Sequence, residues 1–214
     1  MPALEAISSV RCALGECPIW DHGRNELLWT DISGAAVHRY RPDTTEVRTL
    51  IQGKSVGGFA VNRAGGLVCA CLDGLYLWDP RDGFTLIADS VAGKPLRFND
   101  VTTDACGRFL AGTRYVAPAP GASYELGSLY RVDHDASIHV IEEGLHLSNG
   151  MGFSPDNAVM YLTDSIRRTI YEYDYDLRQG EISNRRVFAE VPEELGMPDG
   201  LTVEVNHASC RMRG

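Results

Sequence analysis

Hydrophobic and polar positions alternate along nearly the whole chain, in short stretches broken by turn-forming residues. "ELLWTD" (26–31), "AVHRYR" (36–41) and "EVRTLI" (46–51) follow one another, separated by "SG" and "PDTT". Later come "LVCACL" (67–72), "LYLWDP" (75–80) and "FTLIAD" (84–89), then "VMYLTD" (159–164) and "TIYEYDYD" (169–176). A period of two, rich in Val, Ile, Leu and Tyr and bounded by Gly, Asp, Asn or Pro, predicts β-strands. No stretch shows a convincing helical period, so the pattern predicts an all-β protein.

The strands recur in a fixed order. A polar or glycine position opens each unit, and a short apolar strand, a turn and three further strand-sized segments follow. Taking Asn149 as one start gives "MGFS", the turn "PDNA", "VMYLTD", "TIYEYDYD", the turn "LRQG" and "NRRVFAE". The same order begins at Glu16, Gly57 and Asn99, and a fifth unit opens at Asp199 with "GLTVEV". Starts at 16, 57, 99, 149 and 199 lie 41, 42, 50 and 50 residues apart. Four-stranded units at periods in the forties are the signature of β-propeller blades. Trp78-Asp79 resembles the dipeptide of one propeller class, but the other units lack it and it carries no weight.

Composition narrows the function. The 214 residues are 44% hydrophobic and 23% charged, which suits one soluble domain over 1–214 with a sizeable core. The net charge is −9, and every basic residue except Lys54 and Lys94 is Arg. No basic run exceeds two residues, which argues against a nucleic-acid partner. There is no apolar run of membrane-spanning length and no signal-peptide pattern near the N-terminus, so the expectation is a cytoplasmic protein without membrane attachment. Cys12, Cys17, Cys69, Cys71, Cys106 and Cys210 form no C-x-x-C, and the histidines are scattered. Buried reduced thiols are expected rather than a zinc site or a disulfide framework.

The repeat gives the anchors a meaning. The first strand of each propeller blade lines the central channel. Glu16, Asn99, Asn149 and Asp199 hold or flank one position in different units, so the geometry brings them to one face near the axis. Carboxylates gathered in a recess repel and raise one another's pKa unless a cation joins them. An all-oxygen donor set suits hard divalent ions. The long loop between the second and third strands of the third unit, Arg114 to Gly127, rises on the same face as a candidate lid or specificity wall.

With those residues in place, the chain resembles the SMP-30/gluconolactonase/regucalcin family of six-bladed propellers. The matching motifs are "LGECPIW" (14–20), "RFND" (97–100), "GRFLAGT" (107–113), "LSNGMGFSPD" (147–156), "YEYDYDLRQGEISNRR" (171–186) and "PDGLTV" (198–203). The resemblance implies a metal-dependent lactonase that opens sugar lactones to aldonic acids. Glu16, Asn149 and Asp199 match the metal ligands, Asp199 doubles as general base, and Arg97 and Asn99 match substrate-binding residues. The implied cofactor is one divalent ion, Ca²⁺ first, with Zn²⁺, Mg²⁺, Mn²⁺ or Fe²⁺ as alternatives. Asp100 reads as a loop brace.

Two departures from the family stand out. After "AGT" the family usually carries Met and, in some members, a substrate-contacting Glu; here Arg114, Tyr115, Val116 and Ala117 follow, with Glu125 as the one acid in that loop. After "PDGLTVEV" the family continues through the rest of a fifth blade and a sixth, whereas this chain reads "NHASCRMRG". The expectation is therefore about four complete blades plus the start of a fifth, incomplete closure, and a non-native or disordered tail at 206–214. The closing N-terminal strand is expected within Leu4 to Val10. Competing functions are a non-catalytic calcium-binding propeller of the regucalcin kind, a calcium-dependent esterase, or a strictosidine-synthase-like propeller. The absence of G-x-S-x-G and H-E-x-x-H argues against serine-hydrolase and zincin chemistry.

Overall fold

A computed structural model describes residues 6–114 and 125–204. Four antiparallel sheets of four strands follow one another along the chain, each a simple meander. The first contains β1 (Gly15–Asp21), β2 (Glu26–Asp31), β3 (Ala36–Arg41) and β4 (Glu46–Gln52). The second contains β5 (Val56–Val61), β6 (Leu67–Cys71), β7 (Gly74–Asp79) and β8 (Gly83–Ala88). A small hairpin, β9 (Ser90–Val91) with β10 (Lys94–Pro95), then leads to the third sheet. That sheet is β11 (Phe98–Thr103), β12 (Phe109–Thr113), β13 (Gly127–Val132) and β14 (Ile138–Leu145); the fourth is β15 (Ser148–Phe153), β16 (Val159–Asp164), β17 (Thr169–Asp176) and β18 (Glu181–Glu190). The four units read from the sequence are therefore these four sheets. Among the described residues the one helical element is a single 3₁₀ turn, Glu193–Leu195, and no helix is long and apolar enough to cross a membrane.

Each turn after a first strand is closed by a side-chain oxygen. Asp21 accepts the N–H of Gly23 and Arg24, Asn62 that of Ala64, and Asp104 those of Cys106 and Arg108. Such Asx turns fix where strand two starts and hence its register. The third and fourth sheets are also tied side by side. Arg108 and Arg131 donate to the carbonyls of Leu177, Arg178, Gln179 and Gly180 in the β17–β18 turn, and Tyr175 donates its hydroxyl proton to Asp104.

The apolar faces meet between sheets, not within a single central core. Leu28, Val37 and Ile51 of the first sheet pack on Val56, Phe59 and Leu67 of the second. Ala70 and Leu75 of the second pack, with Leu96, on Phe98, Phe109 and Tyr130 of the third. Leu110, Leu129 and Leu145 of the third pack on Met151, Leu162 and Tyr173 of the fourth. Three interfaces between four sheets place the first strands beside one another, β1 by β5, β5 by β11, and β11 by β15.

Two aspartates at the far ends of second strands do the same work in the first and fourth sheets. Asp31 accepts N–H from Ala13, Leu14 and Gly34; Asp164 accepts N–H from His146, Leu147 and, at 3.5 Å, Arg167. Each carboxylate thereby clamps the segment entering strand one to the turn leaving strand two.

Past Pro198 the chain runs along β15 without joining it as a ladder, held by the Gly150 N–H bond to the Asp199 carbonyl at 3.2 Å. The expected first strand of a fifth unit is thus not formed among the described residues, because nothing described lies on its other side to pair with it. The strand expected within Leu4 to Val10 is likewise absent from 6–10, and residues 1–5 lie outside the described set. Most of the long loop, residues 115–124, and the tail, including Cys210, also lie outside it.

The clamp yields a prediction. Asp164 is fully buried, so Asp164→Ala leaves its N–H donors unpaired and lowers urea-unfolding stability by about 2–3 kcal/mol. Burial tends to raise the Asp31 carboxyl, but its N–H donors outweigh this and hold it below the ordinary aspartate value. Its stabilisation is complete above the unfolded-state pKa of about 3.9 and is lost as pH falls through the lower folded value. Asp31→Asn therefore removes part of the acid sensitivity of the urea midpoint below pH 4.

Candidate metal centre

The polar anchors sit on backbone irregularities that recur in every sheet. The pairing of strand one with strand two slips between Glu16 and Ile19, between Val56 and Gly58, between Phe98 and Asp100, and between Asn149 and Met151. A β-bulge at the same place in each first strand turns the local side chains out of the sheet's regular alternation. In β1 the bulge brings Cys17 to a positive φ of 50°. Its sulfur accepts the Phe59 N–H and its thiol donates to the Phe59 carbonyl, which fastens the first bulge to β5. Burial pushes that thiol up to about 12, so it is a structural group and not a nucleophile.

Glycine permits the sheets to approach at these bulges. A Cβ on Gly150 would overlap the backbone of Asp199, Gly200 and Leu201, and one on Gly57 would lie 2.8 Å from the Asn99 carbonyl oxygen. Gly150 follows Asn149 because the next polar anchor must pass directly over it.

The result is one polar recess. Glu16, Asn99, Asp100, Asn149 and Asp199 line a cavity of about 170 Å³ together with Leu14, Gly57 and Leu147. Glu16, Asp100 and Asp199 are shared with a wider void of about 760 Å³ that continues between the first strands past Phe59, Thr102 and Met151. Asn149 is buried while Asp199 is exposed, so the recess is walled on one side and open on the other.

The amides are oriented by their nitrogen ends. Asn149 donates Nδ2–H to the Ser165 hydroxyl at 3.0 Å, and Asn99 donates Nδ2–H to the Ser148 carbonyl at 3.0 Å. With the donor ends engaged, the carbonyl oxygens are the groups left to serve the recess. The carboxylates are electrostatically strained. Glu16 is raised by burial, then by Asp199, then by Asp100. Asp100 is raised to about 6, first by burial, against the Val101 N–H bond, with Asp199 adding to the rise.

Sequence-predicted residues are distributed as follows. Glu16, Asn99, Asn149 and Asp199 are brought together. Arg97 is exposed and walls a separate open depression with Asp73 and Asp89. Asp100, read from the sequence as a brace, does hold the Val101 N–H but also lines the recess. Its signal was its place next to Asn99 at a bulge, which only register reveals.

These residues fit a hard divalent cation: the carboxylates of Glu16 and Asp100, whose ionisation burial and acidic neighbours oppose, beside the amides of Asn99 and Asn149, each held by its NH₂ group. Among the described residues, no three acidic, thiol or imidazole groups alone stand as a finished coordination cluster.

Four consecutive meander sheets, joined through their first strands with polar anchors on one recess, define a propeller-type all-β protein. The chain belongs to the SMP-30/gluconolactonase/LRE-like family, whose model matches residues 14–211. It is 36% identical over 193 residues to the pentonolactonase XacC of Haloferax volcanii, covering 90% of this chain and 64% of that protein. It is 31% identical over 204 residues to regucalcin of Sus scrofa, covering 94% and 68%. The solved structure of a gluconolactonase from Xanthomonas campestris is similar at a TM-score of 0.76 and 27% identity, over 91% of this chain and 68% of that one. The chain thus spans about two thirds of the length of the relatives it matches.

Removing one carboxylate should relieve the strain. Asp100 keeps its proton up to about pH 6, whereas an unfolded Asp releases it near 3.9. It therefore destabilises the fold above pH 6 and not below pH 4. Asp100→Asn is expected to raise urea-unfolding stability by about 1–3 kcal/mol at pH 7.5 in chelator. The gain should vanish near pH 4 and shrink when a divalent cation is added.

Proposed function

We propose that the protein is a metal-dependent lactonase that hydrolyses sugar lactones to aldonic acids, built on the six-bladed propeller plan of which these sheets are four blades. The observation that carries this reading is the meeting of Glu16, Asn99, Asn149 and Asp199 on one recess in a chain 36% identical to a pentonolactonase. Glu16, Asn149 and Asp199 would hold a divalent ion, with Ca²⁺ favoured by the all-oxygen donors. When bound, that ion supplies Lewis-acid stabilisation of the negative charge that develops on the lactone oxygen.

The protein's own groups account for the rest. Asp199, exposed to solvent, accepts the proton of the attacking water. Asn99, steadied by Ser148, presents an amide oxygen to a substrate hydroxyl next to the cation. Ser165 holds Asn149 in the orientation that keeps its oxygen on the recess. Arg97, which matches a substrate-binding residue of the family, would meet substrate outside the recess, whose lining does not include it. The larger void beneath lets water reach Asp199.

Similarity to regucalcin supports a second reading, a propeller that binds Ca²⁺ without turnover. A pH-indicator assay of lactone opening, run alongside Ca²⁺ calorimetry, separates the two. The lactonase reading expects opening of gluconolactone or a pentonolactone that is abolished by EDTA and restored by Ca²⁺. It also expects Asp199→Asn to lower kcat by about 10²–10⁴-fold. Tight Ca²⁺ binding with no turnover would establish the second reading instead, and EDTA-insensitive opening would overturn the metal-dependent one.

A further inference from the structure

The space between sheets three and four is plugged, and the corresponding space between sheets two and three is not. Backbone pairing fixes the correspondence. The Asn62 N–H donates to the Gly66 carbonyl as the Asp104 N–H donates to that of Arg108, and Leu77 opposes Val68 as Arg131 opposes Leu110. Arg108 and Arg131 are the plug, reaching across to four carbonyls of the β17–β18 turn at 2.7–3.0 Å. The second sheet has Gly66 and Leu77 in those two places. No side chain can stand at Gly66, because its Cβ would overlap the Trp78 carbonyl oxygen, and Leu77 has no group to donate.

The consequence is a cleft of about 550 Å³ at the ends of β5 and β11 farthest from the anchors. Val61, Val68, Leu77 and Ile87 wall it from the second sheet, and Phe109 and Val132 from the third. Val61, Val68 and Ile87 are half-buried and Leu77 is exposed, so apolar surface faces water there. Volume and lining are those of sites that take small organic ligands. None of its lining residues belongs to the recess. One charge of the lining is uncompensated. Arg63 is exposed and, among the described residues, has no carboxylate oxygen within 4.0 Å. Asp133, the acid of the lining, is held by Arg131 through two bonds of 2.9 and 3.0 Å and lies 3.3 Å from His139. His134 donates Nε2–H to the Cys106 carbonyl, which lays its ring against Gly107 as part of the wall.

We propose that this cleft is a second ligand site, and that it takes a small apolar monocarboxylate, an aliphatic chain lying between the two sheets with its carboxylate on Arg63. The chain covers the apolar side chains that the missing plug leaves wet. The planar guanidinium meets the carboxylate through paired N–H···O bonds. Binding here is independent of the metal and of the lactonase reading, since the cleft and the recess share no residue.

Three probes with one tail and different heads test it: octanoate, 1-octanol and octylammonium, titrated into the full chain by calorimetry. Octanoate is expected to bind at least threefold more tightly than 1-octanol and at least tenfold more tightly than octylammonium, with both margins shrinking in salt. Arg63→Gln should bring octanoate down to the level of 1-octanol and leave 1-octanol itself unchanged, which also reports an intact fold. Cys106, an exposed free cysteine in the lining, gives the location: saturating octanoate should slow its alkylation at least threefold, followed by peptide mapping. Octanoate binding no tighter than 1-octanol, a preference that survives Arg63→Gln, or unchanged Cys106 alkylation while octanoate binds would each overturn the site. Tightest binding of octylammonium would overturn it too, because the turn carbonyls and not Arg63 would then set the charge of the ligand.

Discussion

Carboxylates held in a common recess repel one another, and the organisation of this protein centres on that constraint. Glu16, Asp100 and Asp199 come from three separate places in the chain, and the first two are raised in pKa by burial and by their acidic neighbours. A fold does not gather such groups without a compensating charge except at a cost in stability. The two neutral amides beside them moderate the cost. Each is tied down by its NH₂ end, Asn149 on Ser165 and Asn99 on Ser148, and contributes an oxygen without adding charge.

The backbone makes that gathering possible through one repeated device. A bulge interrupts the first strand of each sheet at the anchor position, and glycines at 57 and 150 let adjoining chains pass at the closest approach. Away from the recess the sheets are conventional. Asx turns set the strand starts, Asp31 and Asp164 lock strand ends to the incoming chain, and apolar side chains fill the three spaces between sheets. Rigid sheets thus hold polar groups at fixed positions around a space that their own charges disfavour.

Much of this was legible in the alternation. The four units beginning at 16, 57, 99 and 149 are the four sheets, because period-two patterning and turn residues act locally. What escaped was whatever depends on register or on neighbours. The Ala92-Gly93 hairpin turn, with φ of 50° and 79°, lacks the Asn-Gly signal that announces such turns. The bulges leave no period of their own in a sequence, so Asp100 read as a brace when it also faces the recess. Arg97, a substrate-binding residue by resemblance, lines an open depression beside Asp73 and Asp89. "GLTVEV" carries a strand's composition, yet a strand needs a partner, and among the described residues 198–204 have only β15 alongside.

The central claim is that a single divalent ion joins oxygen atoms from Glu16, Asn149 and Asp199. Crystals soaked in Mn²⁺ and measured at its absorption edge test it directly. The account predicts one strong anomalous peak within coordination distance of all three side chains, lost in the Glu16→Gln, Asp199→Asn double variant. A peak bound to other residues, or none at these three while the side chains remain ordered, would contradict it.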